Sequence, residues 1–159
     1  LAAAEEALLL AREIGGPGAL AEAAHTASLA RQASGDLEGA RTVLEETFAQ
    51  LDPARMTIQR DVITRLETRR AEVALARGDI ETARTSATSA VRLAPRPHVE
   101  TRAEALLALA SVAKVDQRTA DARSLITEAT NLLASSGYRD LRERAERMAE
   151  GLAARSEAR

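Results

Sequence analysis

The chain has no cysteine and no tryptophan, and Phe48 and Tyr138 are its only phenyl-bearing residues. Without cysteine there is no disulfide framework, no thiolate metal site and no thiol nucleophile. Without aromatics a core cannot be filled by large rings. It must bring backbones together over small side chains, which favours helix packed on helix. The two histidines, His25 and His98, lie far apart in sequence. No run approaches 18 consecutive apolar residues, so no span is expected to cross a membrane. No signal peptide is visible, and the expected location is the cytoplasm. Charge of one sign is also missing: 22 basic residues stand against 24 acidic ones, net −2. Such a balance argues against a nucleic-acid partner.

What is present is alanine, 36 of 159 residues. At roughly 100–200 residues per domain, the length fits one domain. The chain begins with Leu1 rather than Met and is expected to be a fragment of something longer. Its charge is unevenly spread. Residues 1–53 carry 3 Arg against 9 acidic groups, net −6; residues 54–102 carry 10 Arg against 6, net +4. Arg supplies all basic residues but Lys114. Its planar fork suits carboxylates and phosphates, although many of these arginines read as solvated helix faces.

Ala, Leu, Arg and Glu are strong helix formers, and they dominate everywhere between short breaks. The breaks are Gly15-Gly16-Pro17-Gly18, Ser34-Gly35-Asp36, Asp52-Pro53, Gly78-Asp79, Ala94-Pro95-Arg96-Pro97, Val115-Asp116-Gln117 and Ser136-Gly137. Gly supplies the left-handed residue after a helix, Pro fits the first turn of the next, and Asp caps it. The pattern predicts eight helices, near 2–14, 18–33, 37–51, 54–77, 80–93, 98–114, 118–135 and 139–155. Connections this short force neighbours to pack antiparallel.

The stretches also resemble one another. Gly35-Asp36-Leu37-Glu38-Gly39-Ala40-Arg41 echoes Gly78-Asp79-Ile80-Glu81-Thr82-Ala83-Arg84 at an offset of 43, and Thr119-Ala120-Asp121-Ala122-Arg123 is a weaker third copy. Repeats at 20–50 residues signal a solenoid. Small residues recur in the first helix of each unit at Ser28, Ala71 and Ala110. The second helix repeats Ala40, Ala83 and Ala122, then Leu44, Ala87 and Ile126, then Thr47, Ala90 and Ala129. Ala4, Leu8 and Ala11 fit the same second-helix pattern. On these residues the chain resembles the tetratricopeptide repeat family, whose helix–turn–helix units (helix A, helix B) stack into an all-α solenoid. The resemblance implies a partial repeat at 1–16, repeats at 17–52, 53–94 and 95–137, and a capping helix at 138–159. The units run to about 39–43 residues against the usual 34, Arg31 and Arg70 stand where apolar residues are usual, and the third turn has lost its Gly. Long, degenerate units of this kind are similar to those of bacterial LuxR-type and STAND-type regulators and antibiotic-regulatory proteins.

No chemistry-bearing motif stands out. Gly15-Gly16-Pro17-Gly18 lacks the Lys-Ser/Thr end and the preceding strand of a phosphate loop. No base–nucleophile pair or metal-ligand cluster is evident, so no enzyme activity, cofactor or metal is expected. In the family, helix-A surfaces line a concave channel. Carrying those positions over gives Glu22, His25, Thr26, Leu29 and Gln32, then Arg65, Thr68, Arg69, Glu72 and Leu75, then Glu104, Leu107, Ala108, Ser111 and Lys114. Arg65 and Arg69 share one helical face; with Lys114 they can clamp a carboxylate, or they can pair internally with Asp61, Glu67 or Glu72. Leu29, Leu75 and Leu107 either seat an apolar segment or belong to the core. The family's chaperone-tail clamp also uses Asn, and none stands at these positions.

The implied function is a regulatory or scaffold module that binds a protein, a peptide or a neighbouring domain of its own chain, and changes curvature or docking between two states. The rival is a self-associating scaffold that pairs two copies through Leu8, Leu9 and Leu10. Nucleic-acid binding through residues 54–102 predicts steep salt dependence, and no stacking aromatics support it.

Overall fold

A computed structural model describes residues 1–51 and 60–157. Among these residues the chain is all-helical, with eight helices and no strand: α1 Ala2–Ile14, α2 Pro17–Ala33, α3 Leu37–Gln50, α4 Arg60–Ala76, α5 Ile80–Leu93, α6 Val99–Val115, α7 Thr119–Leu133 and α8 Arg139–Glu157. The boundaries follow the punctuation in the sequence to within two residues wherever they are described. The expected turn at Asp52-Pro53 and the helix start at residue 54 lie outside the described residues.

The turns explain the boundaries. After α2, α4 and α6 the chain enters the left-handed region at Gly35, Gly78 and Gln117, with φ of 85°, 80° and 61°. Each turn then makes the same bonds. Asp36 N donates to Arg31 O, Asp79 N to Ala74 O and Arg118 N to Ala113 O, each at 2.9 Å. Gly35, Gly78 and Gln117 N donate to Gln32, Leu75 and Lys114 O. This is the Schellman arrangement, which satisfies the last carbonyls of a helix. The side chains of Asp36 and Asp79 then accept from Gly39 N and Thr82 N, at 2.8 and 3.1 Å, to cap α3 and α5. Arg118 offers α7 no such cap.

The recurring small positions form the core. Ala40, Ala83 and Ala122 are fully buried, as are Ser28, Thr47, Ala87, Ala90, Ala110 and Ala129. Their missing bulk lets helix axes approach, and leucines such as Leu44, Leu66, Leu106 and Leu133 fill the spaces between. Each helix packs on its neighbours in sequence, and α2 packs on α4, α4 on α6, and α6 on α8. The even-numbered helices therefore form a continuous layer. Three apolar clusters follow one another along it, the first from α1 to α4, the next in α4 to α6, and the last in α6 to α8.

The two unusual arginines are accommodated by specific partners. Arg31 forms a two-pronged pair with Glu5 of α1, at 2.7 and 3.0 Å. Arg70 lies over the Phe48 ring, 4.6 Å from its centre, and donates to Ser86 Oγ at 2.7 Å. At the far end α8 turns Ala145 and Leu152 into the last cluster and leaves Arg139 and Arg147 exposed.

Candidate functional site

A cavity of about 750 Å³ lies across the even-numbered helices. From α2 come His25, Leu29 and Gln32; from α4 Arg65, Thr68, Arg69, Glu72 and Leu75; from α6 Glu104, Ala108 and Ser111; from α8 Arg144. The spacing that makes this possible is helical. Residues three and four apart share a face, so 25-29-32, 65-68-69-72-75 and 104-108-111 each form one stripe. The layer of even helices sets the stripes side by side.

The structure thus gathers six of the eight singled-out residues, His25, Leu29, Gln32, Arg65, Arg69 and Glu72, at one cavity. It corrects one. Leu107 is completely buried in the cluster shared by α6, α7 and α8, because one helical step from Ala108 turns it away from the cavity. Lys114 lies in an adjoining recess with Leu75, Ser111 and Met148. Thr26 bonds to its own backbone at Glu22 O and stands outside the lining. Arg144 was not anticipated, because the charges of α8 read as a solvated cap. Its signal was present: it stands 40 residues after Glu104, where a further unit's first helix would place it.

Electrostatics divide the cavity. Glu72 is shared by two arginines, accepting from Arg69 Nη1 and from Arg144 Nη2, the latter at 2.7 Å. Arg65 reaches toward Glu22 of α2 at 3.5 Å and Glu100 of α6 at 3.6 Å. Internal pairing therefore exists, but only Glu72 of the three expected acids takes part. Asp61 faces His98, and Glu67 pairs with Arg70. The arginines are not saturated. Arg69 has 7% of its side chain exposed, yet its Nε has no hydrogen-bond partner among the described residues, nor do Arg65 Nε and Gln32 Oε1. A buried polar group without a partner costs about 1–3 kcal/mol. Three such groups belong to side chains that line one cavity, each atom itself closed off from solvent.

Burial sets the protonation of the remaining groups. It pushes the His25 imidazole below its usual range, with the Arg69 guanidinium adding to the effect. It pushes the Glu104 carboxyl up, with the charges of Glu100 and Glu72 acting in the same sense. Arg69 is itself lowered by burial against the pull of Glu72. Leu29 is 42% exposed and Leu75 half-buried, which gives the lining an apolar component. The arrangement can hold a segment that is part apolar and part anionic.

Among the described residues no group of three or more His, Asp or Glu side chains is placed to hold a metal ion, and no helix is long and apolar enough to cross a membrane. No protein-family model and no curated protein matches the chain.

Proposed function

We propose that this chain is a tetratricopeptide-like α-solenoid that binds an acidic peptide or partner segment in the groove formed by its helix-A layer. In this reading α2, α4 and α6 are the first helices of three units, α1 is the second helix of a partial one, and α8 closes the series. The role is binding rather than catalysis, and the partner is a separate protein or a neighbouring domain of the same parent chain. The observation that carries the reading is the cavity itself: its lining comes from matched positions on successive units, with buried Arg69 facing it incompletely paired. The recurring turn bonds and the contact of every even helix with the next support the repeat assignment. The resemblance of the long units to bacterial regulators supports placing the module in a transcriptional or signalling protein. There, ligand binding would bias the angle between units, since Arg65 and Glu72 each tie adjacent or alternate helices across the groove.

The test is unbiased selection of random peptides by phage display on the intact chain, followed by affinity measurement. The expected result is a consensus rich in Asp or Glu with an apolar residue nearby. Binding should fall by about tenfold or more in Arg65→Glu, in line with loss of a charge-assisted contact. Selected peptides that bind Arg65→Glu and the wild type equally would overturn the groove reading.

A further inference from the structure

Every arginine that lines the groove cavity is engaged from within the chain, but not in the same way. Arg65 meets Glu22 and Glu100 at 3.5 and 3.6 Å, and neither of these acids lines the cavity. Arg69 and Arg144 meet Glu72, which lines the cavity beside them. The two arginines divide its carboxylate between them. Arg69 Nη1 donates to Oε2, and Arg144 Nη2 donates to Oε1 at 2.7 Å. The seat between them thus has the shape and charge of a site for one carboxylate.

Glu72 is placed to leave that seat. It stands on the cavity stripe of α4, three residues after Arg69, and 19% of its side chain is exposed. Turning about its own side-chain bonds carries the carboxylate into the cavity without moving α4. Leaving with nothing in its place would strand Arg69, whose side chain is only 7% exposed. A buried charge stripped of its partner is strongly disfavoured. Exchange avoids that loss, because one carboxylate arrives as the other departs.

We propose, resting on the groove reading above, that Glu72 is an internal competitor: an acidic partner binds by displacing it from Arg69 and Arg144. Displacement imposes selectivity. A tethered carboxylate competes at a local concentration of roughly millimolar or more, so a lone acid does not remove it. An acidic residue beside an apolar one does, because Leu29 and Leu75 of the same lining take the apolar side chain.

The first probe is propionate, the free counterpart of the end of a Glu side chain. Sodium propionate should raise the melting temperature of Glu72→Ala above that in sodium chloride of equal ionic strength. The wild type should show no such difference. The second probe is an acidic peptide selected on the wild-type chain, beside a copy with Asn and Gln for its Asp and Glu. Glu72→Gln should bind the acidic peptide about tenfold more tightly than the wild type does, with no gain for the copy. Glu22→Gln removes the same charge beside Arg65 and should gain less. Glu72→Asp keeps a charge beside Arg69 but is too short to reach both arginines. It should fold even if the other Glu72 variants do not, and should bind the peptide a few-fold more tightly. Equal melting of Glu72→Ala in the two salts, equal stabilisation of the wild type by propionate, or equal gains in Glu22→Gln and Glu72→Gln would each overturn the proposal. Acidic peptides lost in Arg65→Glu yet not tightened by the Glu72 variants would end it and leave the groove reading standing. A selection without acidic peptides, or peptides indifferent to Arg65→Glu, would end both.

Discussion

At the scale of single residues, burial of ionisable groups around the groove has a measurable consequence. His25 binds its proton less readily in the folded chain than in the unfolded one, first because of burial and then because of Arg69. Its contribution to stability is therefore complete above the unfolded value of 6.5 and declines as pH falls through it. Glu104 works in the opposite sense. Burial and its acidic neighbours raise its pKa, so its contribution is present below the unfolded value of 4.5 and is lost as pH rises through the folded one. Urea unfolding should show Glu104→Gln to be more stable than wild type at neutral pH. His25→Gln should lose part of the fall in stability between about pH 7.5 and 5; an unchanged pH slope would contradict this account of His25. These partnerships were only partly legible in sequence. Glu72 as the partner of Arg69 follows from i, i+3 spacing. Arg65 with Glu22 and Glu100, and Arg144 with Glu72, depend on how separate helices are set side by side, which no local pattern encodes.

At the scale of elements, the helix ends were the most legible feature, because Gly and Asp act through the backbone of their own turn. Gly35-Asp36 and Gly78-Asp79 give both the left-handed residue and the cap. The turn at Gln117 shows how far tertiary structure overrides local preference. It keeps the same bonds although Gln replaces Gly and Arg replaces the capping Asp. A left-handed conformation costs a residue with a Cβ about 1 kcal/mol. Gln117→Gly should thus stabilise the chain by about 0.5–1 kcal/mol, and Gly78→Ala should destabilise it by about 1 kcal/mol. A Cβ at Gly78 meets nothing within 4 Å, so the loss would report backbone strain alone. Thermal melts of the two variants check both signs. Helix faces were harder to assign than helix ends. Leu107 and Ala108 are one step apart, about 100° around the helix, and composition alone offers both for the groove; packing against α7 and α8 buries the leucine.

At the scale of the whole molecule, an alanine-rich, aromatic-poor chain builds its core from many close helix contacts rather than from a few large side chains. The arrangement leaves distinct surfaces with distinct chemistry. The even-numbered helices present a polar groove with incompletely paired arginines, while α1 presents an apolar edge and α8 a charged one. Composition and periodicity foreshadowed the all-helical class and the recurrence of units. The groove depended on four helices from all parts of the chain converging, so only the repeat register pointed toward it.

The most direct test of the central claim is backbone amide chemical-shift mapping by NMR as a selected acidic peptide is titrated into the labelled chain. The account predicts that the largest changes fall on the groove stripes of α2, α4 and α6, including His25, Leu29, Arg69 and Ser111, with α3, α5 and α7 little affected. Largest changes on α3, α5 or α7, with the even-helix layer unperturbed, would contradict it.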